Sequence, residues 1–502
     1  MESKIPNPKS KISAFGPLLL TFLLLTASFP PLDLGLLAWV ALVPWLLALP
    51  SLSLRQAALH SYLLGFAFFA FNLHWLRYVT VLGWLMLSLY LACYFLVFGL
   101  VLRLLDLSKA GERSEVRGQR SENPKSEIQN PKSRHPSPVT RHLAVPACWV
   151  ALEYVRSFLM TGFPWLFLGH TQYRFLPLIQ VADIAGVYGL SFLIVLTNLC
   201  LAAAWRERRN VGRLVAALAG PAVLIAACLV YGHARLSKLS VTEGPLVGIV
   251  QGNIPQEVKE QMDPEELKRS LAKHVELSKT FAGAHVDMLI WPETMVPGVL
   301  NLPPEYRREI DVLSLKAVDD LARMTKTHLL LGGIAVELRP TLTNRLDQRN
   351  FNSAYFYSPS GELLGRYDKL HLVPFGEYTP LKRYFPFLSK LVPYEVGLSA
   401  GTDWTLFRLD SWQFGVLICY EDTVAPLARE FRRRGASFMV NVTNDGWFRD
   451  SAELEQHLAI SAFRCIENRI GLVRAANTGI SSFLSPTGQI HARLVIDGQQ
   501  RV

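Results

Sequence analysis

Seven apolar stretches, each near the length that crosses a lipid hydrocarbon core, fill the first 235 of 502 residues, at about 14–28, 32–49, 56–76, 81–104, 143–160, 177–204 and 212–232. A spanning helix takes roughly 17 to 25 mostly apolar residues. Backbone in lipid must satisfy its own hydrogen bonds, which restricts such a segment to helix or closed barrel. Runs this long and this apolar specify helices, so residues 1–235 are expected to form a transmembrane α-helical bundle. The first two stretches are short and parted by "FPPLD", as in a broken pair.

The net charge of +10 is explained by where the cations fall. The N-terminus (Lys4, Lys9, Lys11), Arg55, eight residues in 105–142 and four in 205–213 place 16 Lys and Arg on one side, against Arg77 and Arg174 in the opposite short loops. Short cytoplasmic loops collect Lys and Arg. The N-terminus is therefore expected in the cytoplasm and everything beyond about residue 235 outside, with no nucleic acid needed to account for the basicity. Segment 14–28, with three lysines before it and "TAS" near its end, also fits a cleaved signal peptide, which leaves the later part on the same side.

Residues 106–142 have almost no apolar content and carry "NPKS" twice, so they are expected to be a disordered cytoplasmic loop. From about 244 the pattern becomes strand-like runs ("PLVGIVQGN", "VDMLIWPET", "THLLLGGIAV", "NSAYFYSPSG", "FGVLICYED", "SFMVNVTND") alternating with helical ones at 264–282, 304–326, 423–434 and 451–470. "YSPSGELLGRY" and "FLSPTGQIHARL" read as hairpins sharing an S-P-[ST]-G turn. Residues 236–502 are thus expected to form an α/β domain with a well-covered sheet.

Three polar groups sit where strands run out: Glu293, Lys369 and Cys419. Four of the six cysteines lie in apolar stretches of the first half, but Cys419 is followed at once by Tyr420, Glu421 and Asp422. It is either a small core side chain or a nucleophile. A thiolate is the reactive form of cysteine, so a neighbouring cation that favours the anion and a carboxylate that takes the proton would complete a site. Only Cys419 and Cys465 lie in the exported part, which gives no disulfide framework, and a bridge between them would consume the thiol. The dispersed histidines lack metal-ligand spacing, and neither a phosphate-binding glycine loop nor a nicotinamide fingerprint is evident, so neither metal nor cofactor is expected.

"WPET", "YDKLHLVPFGEY" and "CYED", in this order, resemble the nitrilase superfamily; "TGFPWLFLGHTQ", "ADIAGVYGLSFLIVLTN", "VQGNIPQ", "KLHLVPFGEYTPL" and "NDGWF" are similar to the apolipoprotein N-acyltransferase family within it. The resemblance implies a nitrilase-like αββα sandwich appended to the membrane helices, on the periplasmic face of a bacterial inner membrane. It implies transfer of a fatty acyl chain from a phospholipid, through a cysteine thioester, to the α-amine of diacylglyceryl-cysteine apolipoproteins, by a monomer. By position in the motifs, Glu293 would be the base, Lys369 the electrostatic stabiliser and Cys419 the nucleophile. Glu377 would support the lysine, Tyr420 would offer a backbone N–H to the oxyanion, and Glu421 would stand beside the nucleophile. Asn352 would brace the site and Trp447 would form an apolar wall.

The apolar, aromatic segment 374–401 is expected to be an arm that touches the outer leaflet and gates lipid entry. The chain departs from the family pattern in its 106–142 insertion and in ending at "VIDGQQRV", where a further transmembrane helix is expected. Two other readings share these residues: a membrane-tethered amidase using the same triad on a small amide, and a non-enzymatic lipoprotein-binding scaffold with an inert Cys419.

Overall fold

The computed structural model describes residues 15–119, 138–239, 241–261, 263–340, 346–379, 384, 397–497 and 499–501. Two compact units divide the chain. One comprises 1–74, 85–152 and 191–226, the other 75–84, 153–190 and 227–502. The second therefore takes in stretches between 75 and 235 that the sequence groups with the membrane half.

The first unit holds α1 (Phe15–Ser28), α2 (Ala38–Ala41), α3 (Val43–Ala48) and α4 (Leu54–Asn72), with parts of α5 (Val81–Gln119), α6 (Pro138–Arg156), α8 (Ala182–Arg206) and α9 (Val211–Lys238); α7 (Leu176–Ile179) lies in the second unit. Val81–Leu105, α8 and α9 are each long and apolar enough to cross a membrane, while Phe15–Ser28 and Gly35–Ser51 are apolar but shorter. The second stretch is broken at Leu42, between α2 and α3. Asn198 repairs the break: Nδ2 donates to the Ala38 carbonyl at 2.8 Å and Oδ1 accepts from Leu42 N at 2.8 Å. One amide thus stands in for an absent helical bond, as apolar surroundings require.

Helical backbone continues in α5 to Gln119 and resumes at Pro138, which corrects the expectation of disorder across 106–142 at both margins. A helix nucleated in an apolar run extends at one hydrogen bond per residue fixed, so a polar continuation costs little. Residues 120–137 fall outside the described residues.

The second unit contains two sheets. The first runs β1 (Val247–Ile249), β2 (Met288–Val296), β3 (His328–Pro340), β4 (Leu346–Tyr357), β5 (Leu363–Asp368), parallel across β1–β3 and antiparallel after that. The second is ordered β12-β11-β10-β9-β8-β7-β6: β6 (Leu406–Leu409), β7 (Trp412–Ile418), β8 (Phe438–Thr443), β9 (Gly471–Ala476), β10 (Ile480–Leu484), β11 (Ile490–Asp497) and β12 (Gln499–Arg501). Within it β7, β8 and β9 are parallel.

Alternation along the strands assigns the faces. Leu289 and Trp291 in β2, and Leu329 and Leu331 in β3, pack in one core with Leu271 of α11 (Pro264–Lys279) and Val318 and Leu321 of α12 (Glu309–Thr325). Their neighbours Ile290 and Leu330 join a second core with Val416, Val440 and Val473, and with Phe431 of α13 (Ala425–Arg433) and Leu458 of α14 (Glu453–Asn468). Helices on both outer faces of two apposed sheets make the expected αββα sandwich. The short α10 (Gln256–Gln261) precedes α11. α11 starts where it does because Asp263 accepts from the Glu265 and Glu266 amides and Pro264 fills the first turn.

Both S-P-[ST]-G turns form as read: Gly361 and Gly488 adopt φ of 86° and 78° and donate to Ser358 and Ser485 carbonyls at 3.0 and 2.9 Å. Of the 374–401 arm, residues 380–383 and 385–396 lie outside the described residues. Its C-terminal root is hydrogen-bonded to the sheet, Ser399 N to Asn350 O of β4 at 2.7 Å and Gly401 N to Lys369 O just past β5 at 2.8 Å.

Candidate active site

The site is built at the ends of β2, β5, β7 and β8, where the ladders stop and side chains are free of sheet pairing. β2 pairs with β3 in register through Trp291 and then slips before Val296, with Thr294 at φ 55°. Glu293 therefore does not follow the strand but sits in a bulge inside it, the kind of irregularity that re-aims a side chain. Gly332 of β3 makes this possible: a Cβ there would lie 2.1 Å from the Pro292 carbonyl oxygen.

Glu293 is buried, with Oε1 accepting from Asn352 Nδ2 at 2.7 Å and Oε2 from the Asn444 backbone N–H at 2.8 Å. Asn352 lies in β4, and its Nδ2 also reaches Glu377 Oε1 at 3.1 Å. Lys369, just past β5 and only 1 % exposed, donates to the same Glu377 oxygen at 2.9 Å and stands 4.0 Å from Glu293 Oε1. Glu377 Oε2 accepts from Val373 N at 2.8 Å, closing its own loop. Burial opposes the Lys369 ammonium, yet Glu377, Cys419, Glu293 and Glu421 outweigh it and hold its pKa above the ordinary lysine value.

Cys419 follows β7 in the left-handed region, φ 53°, and opens a turn through Thr423. A left-handed conformation is uncommon for a side chain other than glycine, asparagine or aspartate and marks a sharp change of direction. It presents a half-buried thiol, hydrogen-bonded by Thr443 and within the fields of Lys369 and Glu293. Burial first, then Glu293, push the thiol well above its usual pKa, against the pull of Lys369. The resting sulfur is therefore a neutral thiol. Because the folded pKa lies above the ordinary 9.0, the thiolate fraction rises with pH throughout the neutral range. Alkylation of Cys419 by iodoacetamide should still be climbing at pH 9, and a plateau reached by pH 8 would show a preformed thiolate instead.

Glu421 is fully buried and ties the two strand ends together. Its oxygens accept from Ile418 N, Leu370 N and His371 N at 2.8, 2.8 and 2.9 Å, and from the Tyr367 hydroxyl. Burial pushes its carboxyl up to about 7 against these donors. Tyr420 stacks on Trp165 at 6.3 Å and on His371 at 6.1 Å, and its hydroxyl donates to the Gly162 carbonyl at 3.1 Å. Trp447 is half-buried in the turn after β8, Asp445–Phe448. Cys419 and Cys465 are both free thiols.

Under the site lies an ion network that the sequence reading missed. Arg474 of β9, fully buried, donates through Nη1 to Asn441 Oδ1 at 2.8 Å and Asp422 Oδ2 at 3.2 Å, and through Nη2 to Asp445 Oδ2 at 2.9 Å. His457 Nε2 lies 2.6 Å from Asp422 Oδ1. Asp422 is held below its usual pKa despite burial, by His457 and Arg474, and Asp445 is lowered to about 2 in the same way, chiefly by Arg474. The network reaches Cys419 twice: Asn441 Nδ2 donates to its carbonyl at 3.0 Å, and Thr443 bridges Asp445 and the sulfur. Ligating atoms of Asp445, Glu453 and His457 gather within 4.8 Å, but the Arg474 guanidinium, 2.9 Å from both Asp445 and His457, already supplies the cation. The available signal was an arginine in the middle of the apolar run "GLVRAA".

Residues 23–200 match the family described as apolipoprotein N-acyltransferase N-terminal domain, and 246–499 match carbon-nitrogen hydrolase. An apolipoprotein N-acyltransferase from Geobacter metallireducens is 36% identical over 96% of this chain and 88% of its own. One from Chlorobaculum tepidum is 30% identical over 94% of this chain and 87% of its own. The chain belongs to the apolipoprotein N-acyltransferase family. It is a membrane protein and an acyltransferase, with a nitrilase-superfamily catalytic domain. Among solved structures, an amidase from Nesterenkonia sp. is similar at 17% identity and TM-score 0.37, covering 51% of this chain and 89% of its own. Saccharomyces cerevisiae Nit3, a member of branch 10 of the nitrilase superfamily, is similar at 18% identity and TM-score 0.37 over the same shares.

Proposed function

We propose that this acyltransferase moves a fatty acyl chain from a phospholipid, by way of a thioester on Cys419, to the α-amine of the diacylglyceryl-cysteine at the N-terminus of apolipoproteins. The observation that carries the reading is the convergence of a thiol, a buried ammonium and a carboxylate on the strand ends of a chain belonging to this family. The excess of Lys and Arg in one set of loops supports a catalytic domain on the periplasmic face of the inner membrane. We propose that the protein acts as a monomer.

Glu293 takes the thiol proton as sulfur attacks the ester carbonyl, so a high resting pKa is no obstacle: the thiolate need exist only in the transition state. Lys369, fixed by Glu377, neutralises the developing charge on sulfur and oxygen, with the Tyr420 N–H as second donor to the oxyanion. Collapse expels the lysophospholipid, protonated by Glu293, and leaves the acyl chain on sulfur. An α-amine, with a pKa near 8, then loses its proton to Glu293 as nitrogen attacks the thioester, and Cys419 is regenerated. Asn352 bridges the two carboxylates through one amide nitrogen, while Glu421 ties the Lys369 and Cys419 strand ends together. Trp447 lends an apolar wall to the acyl chain. Keeping both lipids in the bilayer avoids exposing their chains, worth roughly 0.8 kcal/mol per CH₂.

Intact-mass measurement of detergent-purified protein after incubation with phospholipid and no amine tests this. A fatty-acyl increment on Cys419, released by hydroxylamine and discharged onto a diacylated lipopeptide, is the expected result. Turnover of a short soluble amide with no acyl increment would replace the transferase reading by amide hydrolysis.

A further inference from the structure

The turn that follows β8 ends in a strained residue. Arg449, next after Asp445–Phe448, has φ 55° and ψ −159°, a combination that glycine alone adopts readily. Such strain persists where surrounding contacts over-determine it, most often at functional sites and ligand clamps. Phe448 packs edge-on against Trp75 at 4.8 Å, and the Arg449 guanidinium lies over the Tyr78 ring, 4.9 Å from its centroid. Trp75 and Tyr78 share the 3₁₀ turn His74–Tyr78 at i, i+3 spacing, which eclipses their side chains. Two successive residues of the loop are thus clasped onto one face of that turn, and the strained backbone is what brings Arg449 to it. Trp75, Tyr78, Phe448 and Arg449 all belong to the second unit.

A second guanidinium meets the same ring. Arg77 stands 5.1 Å from the Tyr78 centroid, and its Nη2 donates to the phenol oxygen at 3.4 Å. A guanidinium held over a ring still has in-plane N–H donors to offer. Among the described residues Arg77 forms no ion pair, and Arg449 forms one, an exposed contact with Glu257 at 3.8 Å, of the kind that contributes little. Two like charges on one exposed tyrosine repel each other, and an anion shared between them reverses the sign. Position indicates which anion. Tyr78 lies just before Val81–Leu105, a stretch long and apolar enough to cross a membrane, and Val81, Leu82 and Met86 are exposed. Tyr and Arg at the end of such a helix sit at head-group depth. At its other end the Arg449 loop starts from Asn444, whose backbone N–H holds Glu293 Oε2 at 2.8 Å, and the 3₁₀ turn between them spans on the order of 10 Å. The tyrosine platform therefore links the head-group layer to the carboxylate that acts on the ester.

Resting on the proposed acyl transfer, we propose that Arg77 and Arg449, held on Tyr78, bind the phosphodiester of the donor phospholipid and so present its ester to Cys419. The planar guanidinium fork matches phosphate oxygens and bonds them with charge assistance. The phosphate takes no part in bond making and leaves with the lysophospholipid.

The surrounding membrane surface offers the same phosphate chemistry, and the test separates the two sources. Full-length wild type, Arg77→Gln and Arg449→Gly are compared in neutral detergent micelles. Glycine takes the backbone of position 449 without strain, so Arg449→Gly should melt close to or above wild type, and a loss of function in it is not a loss of folding. Acyl loading of Cys419, read by intact mass, is followed against the mole fraction of phosphatidylglycerol and, separately, of diacylglycerol, which has the esters but no phosphate. In each variant the half-saturating fraction of phosphatidylglycerol is expected to rise on the order of tenfold, the scale of a lost charge-assisted hydrogen bond, and the preference for it over diacylglycerol to fall by the same factor. An unchanged preference overturns the inference. Ether-linked phosphatidylglycerol, which has the phosphate but no cleavable ester, is expected to compete with the donor. If instead it stimulates loading from diacylglycerol through the two arginines, they serve a phosphate-rich surface and the inference is overturned. Retention of the ether lipid by Cys419→Ala protein with and without Arg449→Gly, measured by native mass spectrometry, decides the arginines' role with no turnover. If wild type never loads, the thioester reading falls, while roughly tenfold weaker retention in the double variant still upholds the phosphate site and equal retention removes it.

Discussion

Cys419→Ala is expected to fold and melt like the wild type while losing acyl loading and transfer by at least about 10⁴-fold, the scale on which removal of a nucleophile reduces turnover. The two halves of this expectation have separate physical grounds. Sγ is one half-buried atom whose removal leaves the Cys419 backbone bonds, including Asn441 Nδ2 to its carbonyl, in place; a change of that size costs roughly 1 kcal/mol or less. Function has no such margin. Glu293 and Lys369 are held at their positions by Asn352, Asn444 and Glu377 whether or not sulfur is present, but alanine gives them no atom to activate. Circular dichroism melts beside a lipopeptide acylation assay check both halves. Transfer that survives with intact folding would mean that the acyl chain never rests on Cys419.

Arg474→Met is expected to show the reverse pattern, a loss of roughly 3–5 kcal/mol in stability from a residue that touches no substrate. Methionine fills much of the space, so packing is not the main loss. The loss arises because Asp422 and Asp445, 0 % and 1 % exposed, would keep their charges with no guanidinium 3.2 and 2.9 Å away. Asp445 responds in the direction its lowered pKa dictates. Its folded value of about 2 lies below the unfolded 3.8, so its contribution is present above the unfolded value and is lost as pH falls towards 2. Arg474→Met removes the cation that depresses this pKa, so the mutant's stability deficit against wild type should shrink as pH falls below 3.8, where protonation of Asp445 relieves its uncompensated charge. Adding Asp445→Asn to Arg474→Met should recover part of the stability, because one uncompensated charge is removed. A single mutant within 1 kcal/mol of wild type in denaturant titration would show that the network is dispensable.

The division between what was readable in the chain and what was not follows the range over which the determining interactions act. Apolar runs of spanning length, the strand-like apolar runs of β2, β3 and β7, and the S-P-[ST]-G turns are local, and each specifies its element without reference to distant residues. Glu293, Lys369 and Cys419 stood out as candidates because each punctuates a strand-like run and the short motifs around them resemble those of a family. Residues whose meaning depends on a partner far along the chain were not legible. Asn198 reads as a polar flaw in an apolar helix until it is seen filling the gap between Ala38 and Leu42. Arg474 reads as an interruption of a buried strand until Asp422 and Asp445 close around it. The polar run 106–142 was misjudged at its margins for a related reason: composition reports what cannot form a core, whereas a helix growing out of an apolar segment needs none. By itself the sequence determined a helical N-terminal half, the α/β domain and the candidacy of Cys419. Only the tertiary structure decided which carboxylate faces which cation, because a buried charge tolerates one geometry of partners and that geometry is set by sheets brought together from residues hundreds of positions apart.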